Sequence, residues 1–136
     1  MTTRTVLFLC PHAAAKSVLA AAEFDRLAAS AGLAARGDAA GTDPDPVTNP
    51  AVVAALAVDG VDVSGRRPRR VAAAELASAW KVVSMGCDLD GIAAPGQPVL
   101  RWDDVPPVSA DLPLARASIR AHVERFIADL LREDGR

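Results

Sequence analysis

The feature that most constrains the fold is a short apolar run that stops at a cysteine and is followed by a helical pattern. Residues 5–9, with the sequence TVLFL, have the composition of a buried parallel strand. The run ends at Cys10, and apolar residues at helical spacing follow from Lys16 onward. We expect Ser17 to be the N-cap of this helix and Gly32 to be its C-terminal stop. Cys10 therefore lies in the turn between a strand and a helix.

The rest of the chain continues the alternation of strands and helices. Three further strands are predicted, at residues 33–41, 81–85 and 98–102. Three further helices are predicted, from Asn49-Pro50 to Gly60, over residues 72–79 and over residues 115–132. The alternation favours an α/β fold with a four-stranded, parallel, doubly wound sheet and helices on both faces. Because no linker or internal repeat is visible, we expect residues 1–136 to form a single domain.

The carboxyl ends of the predicted strands carry the residues that are most suited to chemistry. Cys10, Cys87 and Asp103 each come directly after a predicted strand. Sites in parallel sheets form where the carboxyl ends of the strands meet, so we expect three separate loops to converge there.

Composition excludes several classes of function. The net charge is −2, and aromatic residues are 4% of the chain with no tyrosine, so neither a basic surface nor a base-stacking platform for nucleic acid is expected. No apolar run approaches the length of a membrane span. No signal peptide is visible, and we predict a cytoplasmic protein whose two cysteines are reduced. Two histidines without further ligands at suitable spacing predict no metal site, and no cofactor is expected.

The loop after the first strand has the properties of an anion site. It begins with a cysteine, ends with a cation, Lys16, and leads into the amino end of a helix. Backbone N–H groups and the helix dipole at such a place bind anions and favour the thiolate form of cysteine. We therefore interpret Cys10 as a thiolate nucleophile.

The segment from Val6 to Ser17, with the loop sequence CPHAAAKS, resembles the anion loop of low-molecular-weight protein tyrosine phosphatases and of arsenate reductases that share their fold. The closest pattern is that of actinobacterial-type arsenate reductases, C-x-H-N-A-G-R-S. The resemblance continues through residues 40–42, 49–64, 82–87 and 101–103, and so covers most of the chain in order. It implies a low-molecular-weight phosphatase-like fold with Cys10 as the nucleophile and Ser17 as a hydrogen-bond partner of the thiolate. The substrate loop would be formed by Pro11, His12, Ala13, Ala14 and Ala15.

The departures from the family pattern affect three functions of the loop. Lys16 stands where the family has Arg, so a flexible point charge replaces a rigid two-pronged donor. Ala13 and Ala15 replace the Asn and Gly of the pattern, which makes the loop side chains less polar. The general acid of the family falls on Pro106, and either Asp103 or Asp104 is expected to take its place. Cys87 is retained, but the second cysteine of the reductases is Gly91.

Three hypotheses on function remain open. The one we favour from the sequence is reversible addition of the Cys10 thiolate to a conjugated acyl or polyene substrate, as in a cofactor-independent cis-trans isomerase of specialised metabolism. Lys16 would polarise a carbonyl or stabilise the thiolate, and Asp103 or Asp104 would move a proton. The second hypothesis is residual phosphomonoester phosphatase or arsenate reductase activity. The third is a non-catalytic anion-binding module.

Other residues have more than one interpretation. His12 lines the pocket or is satisfied by backbone, and Cys87 is a second site residue or a buried filler. His122 is expected to be a surface residue, and Trp102 to anchor the end of a strand. Four arginines, Arg66, Arg67, Arg69 and Arg70, form a solvated loop or dock an acidic carrier protein that bears an acyl substrate. The sequence predicts no oligomeric state.

Overall fold

Four strands, β1 (Arg4–Leu9), β2 (Ala35–Ala40), β3 (Lys81–Ser84) and β4 (Leu100–Arg101), form one parallel sheet in the order β2-β1-β3-β4. The computed structural model describes residues 3–134. Strand β1 lies between β2 and β3. The chain therefore adds β2 on one side of β1 and then crosses back to add β3 on the other side. The sheet is doubly wound, as the sequence predicts.

Four helices connect and cover these strands: α1 (Lys16–Ala31), α2 (Pro50–Val58), α3 (Ala73–Ser78) and α4 (Leu112–Glu133). Helix α1 links β1 to β2, helices α2 and α3 lie between β2 and β3, and α4 follows β4. No helix among residues 3–134 has both the length and the apolar character needed to cross a membrane.

Strand β1 is buried on both faces, and its side chains alternate between two hydrophobic clusters. Val6 and Phe8 pack with residues of α1, α2 and α4, whereas Leu7 and Leu9 pack with Leu76 of α3. Phe8 lies within 6.4 Å, centroid to centroid, of three other rings, those of Phe24, Phe126 and Trp102. Helices therefore cover both faces of the sheet, and β1 is held rigidly behind the loop that begins at Cys10.

Three predicted boundaries are wrong. Helix α1 begins at Lys16, and Ala15 occupies the cap position, so Ser17 is an interior residue rather than the N-cap. Helix α4 begins at Leu112 instead of residue 115, because the Asp111 side chain accepts a hydrogen bond from the Leu114 N–H. Strand β4 is two residues long because only Leu100 and Arg101 pair with β3. Other predictions hold: Asn49 caps α2, and Gly32 ends α1 with a φ of 71°.

Candidate functional site

The thiol of Cys10 is buried and directed at Ser17. Cys10 follows β1 and is 5% exposed, while Ser17 is fully buried. The Sγ atom lies 3.1 Å from Ser17 Oγ, and the Ser17 backbone N–H donates to Sγ at 3.4 Å. The thiol donates to the hydroxyl oxygen when it is protonated, and the hydroxyl can rotate to donate to a thiolate. Two donors from the first turn of α1 are therefore available to the ionised sulfur.

The carbonyl groups of the loop between Cys10 and α1 are held by other parts of the chain. The carbonyl oxygens of Pro11 and His12 accept from the N–H groups of Asp43 and Asp45 at 2.7 and 3.0 Å. The carbonyl of Ala14 accepts from the N–H of Asn49 at 2.9 Å. Three separate anchors thus turn these carbonyls away from the inside of the loop.

Other N–H groups of this loop remain available. Within residues 3–134, the backbone N–H groups of Ala14, Ala15 and Lys16 have no hydrogen-bond partner. Lys16 is half-buried and makes no ion pair with any described residue. Free N–H groups at the start of a helix, next to a cation, form a nest for an anion.

Two features of the backbone determine the shape of the loop: the conformation of Ala13 and the close approach of Gly41. Ala13 has a φ of 56°, a left-handed conformation that residues other than Gly and Asn rarely adopt. Gly41 follows β2, and a Cβ atom at that position would lie 2.3 Å from the Cys10 carbonyl oxygen and 2.6 Å from that of Pro11. Only glycine lets the end of β2 approach the loop so closely. This role of Gly41 was not predicted from the sequence.

The second cysteine lies on a neighbouring loop. The Cys87 thiol is buried at 3% exposure, and the Thr42 hydroxyl lies 4.0 Å from its sulfur. The backbone N–H of Cys87 donates to Ser84 Oγ at 3.0 Å. Burial raises the pKa of the Cys87 thiol, and the neighbouring Cys10 adds to the effect. The Cys87 thiol is therefore harder to ionise than an exposed cysteine.

The two candidate acids, Asp103 and Asp104, have different hydrogen-bond partners. Asp103 accepts a hydrogen bond from the Gly86 N–H at 3.0 Å, and Gly86 lies beside Pro11 of the loop. Asp104 is bonded to His122 of α4 at 2.7 Å, and this hydrogen bond lowers the pKa of the Asp104 carboxyl. Of the two, Asp103 is the one that contacts a neighbour of the Cys10 loop.

The expectation that His122 is only a surface residue is wrong. Its ring stacks on Trp102 with the centroids 4.8 Å apart and an interplanar angle of 12°. Trp102 is 6% exposed and belongs to the core, as expected for an anchor at the strand end. Together with Asp104, the stack ties the segment after β4 to helix α4.

His12 lies at the exposed rim of the loop. Its Nδ1 atom is 3.1 Å from the carbonyl oxygen of Asp43, and carboxylate oxygens of Asp45 and Asp43 lie 3.5 and 3.9 Å from the same atom. The two interpretations of His12 are therefore compatible, because one ring nitrogen is satisfied by backbone while the ring remains at the rim. The acidic neighbours were not singled out from the sequence.

The four arginines differ in how far their side chains are already paired with other groups of the protein. Arg69 pairs with Asp38 and Glu75, and Arg66 lies 4.0 Å from Asp38. Arg70 donates to the Thr42 carbonyl at 2.7 Å. Arg67 makes no ion pair with a described residue. The carrier-protein interaction stays a prediction, with Arg67 as its least engaged side chain. Within residues 3–134, no three His, Cys, Asp or Glu side chains are grouped to hold a metal.

Comparisons with known proteins agree with this geometry. The family model for low molecular weight phosphotyrosine protein phosphatase matches residues 5–95, more than half of the chain. No curated protein sequence matches the chain.

Solved structures similar to the chain come from both branches of this fold. YfkJ from Bacillus subtilis has a TM-score of 0.83 at 21% identity, covering 98% of both chains. A low molecular weight protein tyrosine phosphatase from T. tengcongensis has a TM-score of 0.77 at 17% identity, covering 93% of this chain and 99% of that one. An arsenate reductase from Archaeoglobus fulgidus has a TM-score of 0.72 at 27% identity, covering 90% of this chain and 98% of that one.

Proposed function

The chain belongs to the low molecular weight phosphotyrosine protein phosphatase family, and we propose that it hydrolyses phosphomonoesters through a covalent intermediate on Cys10. The observation that carries this proposal is the orientation of the loop peptides. The carbonyls of Pro11, His12 and Ala14 accept hydrogen bonds from other segments of the chain. The free N–H groups at the start of α1 are left for the oxygens of a phosphoryl group.

The reaction would proceed in two displacements at phosphorus. The Cys10 thiolate attacks, an Sγ–P bond forms, and the bond from phosphorus to the ester oxygen breaks while that oxygen takes up a proton. Water then attacks phosphorus and loses a proton, the Sγ–P bond breaks, and inorganic phosphate and the thiolate are released. Ser17 would stabilise the thiolate at both ends of the cycle, and Lys16 would offset the charge on the phosphoryl oxygens.

The double-bond isomerase hypothesis gains no support from the family assignment. Its physical basis was a less polar pocket produced by the alanines of the loop. Ala13 and Ala14 are 2% and 4% exposed, so their methyl groups are buried and offer little apolar surface. Backbone N–H groups and Lys16 set the polarity of the cradle instead, and these favour an oxyanion.

Arsenate reduction is a second candidate because of one observation, a second buried and free thiol, Cys87, in the loop that follows β3, the strand paired with β1. The same cradle fits arsenate, whose reduction requires two electrons from thiols. Cys10 would bond to arsenic, and Cys87 or an added small thiol would supply the second sulfur. The sequence resembles arsenate reductases that have a further cysteine at the position of Gly91. Its absence here favours hydrolysis over arsenate reduction.

The test is hydrolysis of p-nitrophenyl phosphate by the purified protein, compared with its Cys10→Ala variant. We expect turnover by the wild type and its loss in Cys10→Ala. The same two proteins, together with Cys87→Ala, would be assayed for arsenate reduction with a thiol reductant. Hydrolysis that survives Cys10→Ala, or its absence in the wild type, would contradict the proposal. Reduction that requires both cysteines would establish the second candidate instead.

A further inference from the structure

The ring of His12 is fixed at the rim of the anion loop by the segment around Asp43 and Asp45. The backbone carbonyl of His12 accepts from the Asp45 N–H at 3.0 Å, and the neighbouring Pro11 carbonyl accepts from the Asp43 N–H at 2.7 Å. The ring also contacts this segment through its Nδ1 atom, which lies 3.1 Å from the Asp43 carbonyl oxygen. Backbone and side chain of His12 are thus held by one neighbour, and the ring has a defined position two residues after the nucleophile.

The hydrogen bond at Nδ1 determines which ring nitrogen can exchange a proton with a substrate. A carbonyl oxygen only accepts, so Nδ1 must carry a hydrogen in both charge states of the ring. The proton that comes and goes is therefore the one on Nε2. The side chain is 59% exposed, which leaves Nε2 accessible at the rim.

Two carboxylates lie close to the ring of His12. Carboxylate oxygens of Asp45 and Asp43 lie 3.5 and 3.9 Å from Nδ1, and no cation within residues 3–134 is paired with either carboxylate. Lys16, on the same loop, is the nearest positive side chain in sequence. An imidazole that is held in one orientation can both donate and accept a proton through its second ring nitrogen.

The usual source of that proton is missing from this chain. Pro106 stands where the family resemblance places the acid, and the Asp104 carboxylate is bonded to His122 on α4. Asp103 remains, with one carboxylate oxygen accepting from the Gly86 N–H. The two groups left as candidates for proton exchange are therefore Asp103 and His12.

We propose that His12 is the general acid and base of the reaction, a role that rests on the proposed phosphatase function. The Nε2–H of the imidazolium gives its proton to the ester oxygen as the bond from phosphorus to that oxygen breaks and the Sγ–P bond forms. The neutral Nε2 then takes a proton from the attacking water as the Sγ–P bond breaks. The ring ends the cycle protonated, as it began.

The experiment compares His12→Asn with Asp103→Asn on two substrates of different leaving-group quality. In His12→Asn the amide nitrogen takes the position of Nδ1, so the bond to the Asp43 carbonyl is kept and only the titrating atom is lost. p-Nitrophenyl phosphate has a good leaving group that needs little protonation, whereas phenyl phosphate depends on an acid. For His12→Asn we expect kcat/KM to fall about 100-fold or more with phenyl phosphate and less than about tenfold with p-nitrophenyl phosphate.

The pH profile supplies the second readout. Wild-type kcat with phenyl phosphate should fall as pH rises and the ring loses its proton, and His12→Asn should lack this limb. Asp103→Asn should keep both the limb and the wild-type ratio between the two substrates. Circular dichroism would establish that both variants are folded.

The outcomes separate the two proposals. A wild-type ratio and pH profile in His12→Asn, in a protein whose hydrolysis depends on Cys10, would overturn the role of His12 alone. The same is true if Asp103→Asn carries the leaving-group defect. Absence of Cys10-dependent hydrolysis in the wild type overturns the phosphatase function, and with it the role of His12.

Discussion

The Ser17 hydroxyl oxygen lies 3.1 Å from the Cys10 sulfur, and the Ser17 backbone N–H donates to the same sulfur at 3.4 Å. Ser17 is fully buried and Cys10 is 5% exposed, so water competes little for either contact. A hydrogen bond to a charged sulfur is stronger than one to a neutral sulfur, and both contacts come from the first turn of α1. One residue in the first turn of α1 thus prepares the nucleophile.

The first prediction concerns this hydroxyl. Ser17→Ala should slow alkylation of Cys10 by iodoacetamide at pH 7 by about tenfold, because a hydrogen bond to a charged group contributes about 1.5–3 kcal/mol and part of the lost thiolate is offset by higher nucleophilicity. The rate would be followed by mass spectrometry of the Cys10 peptide. Ser30→Ala, an exposed position on the same helix, is the control and should react like the wild type. An equal rate in Ser17→Ala would show that the hydroxyl does not act on the thiolate.

The second prediction concerns the strained residue of the loop. Ala13→Gly should stabilise the protein by about 0.5–1 kcal/mol, because glycine adopts the φ of 56° without the steric cost of a Cβ atom. Ala29→Gly, the same exchange at an exposed position inside α1, should destabilise it by about 1 kcal/mol. Urea unfolding of the three proteins measures both changes. A destabilised Ala13→Gly would mean that the methyl group contributes more by packing than it costs in backbone strain.

Much of the fold was predictable because its signals are local. The apolar run of β1, the cap at Asn49 and the stop at Gly32 each lie within a few residues of the boundary they set. Cys10 was identifiable for the same reason, since strand, loop, cation and helix are contiguous. The misplaced start of α4 had local signals too, in Asp111 and Pro113, but the apolar face of the helix begins only at Ala115.

The parts that could not be predicted depend on contacts between distant segments. Ser17 looked like a cap because serine favours that position, and only the fold shows that its hydroxyl faces Cys10. His122 is 18 residues from Asp104, and nothing in either local sequence indicates their hydrogen bond. The burial of Ala13 and Ala14 was likewise not predictable, because the sequence lists the alanines of the loop without showing how the loop folds.

The third prediction concerns the approach of β2 to the loop. Gly41→Ala should reduce kcat/KM for p-nitrophenyl phosphate by about 100-fold or more, since its Cβ atom would lie 2.3 Å from the Cys10 carbonyl and the catalytic backbone must move. Gly65→Ala is the matched control, because a Cβ atom there meets nothing within 4 Å. We expect its activity to be unchanged and its stability to stay within about 0.5 kcal/mol of the wild type. Near-normal activity in Gly41→Ala would refute the link between this glycine and the geometry of the loop.

The fourth prediction is a pH dependence of stability at Cys87. Burial raises the pKa of this thiol in the folded state, so the folded protein holds the proton more tightly than the unfolded chain. The resulting stability is fully present below the pKa of the unfolded thiol and is lost as pH rises from there through the pKa of the folded thiol. Cys87→Ala removes this contribution and leaves the other titrating groups unchanged. The difference in unfolding free energy between wild type and Cys87→Ala should therefore shrink between pH 7 and pH 10, at about 1.4 kcal/mol for each unit by which the pKa is raised. A difference that is constant with pH would contradict the raised pKa.

The last prediction concerns the loop cation. Lys16 has no ion-pair partner within residues 3–134, so its replacement by arginine breaks no ion pair and keeps the charge. A guanidinium binds two oxygens of a tetrahedral anion through a rigid fork, whereas an ammonium acts as a point charge. Lys16→Arg should therefore raise kcat/KM for p-nitrophenyl phosphate by about tenfold, which corresponds to one additional charge-assisted hydrogen bond of about 1.5 kcal/mol. Lys16→Met should lower it, and the two variants together separate the effect of charge from that of geometry. Lys81→Arg makes the same exchange in an ion pair with Glu133, away from the loop, and should leave activity unchanged. If Lys16→Arg is less active than the wild type, the loop is adapted to the smaller cation, and the substrate is then not an ordinary phosphomonoester.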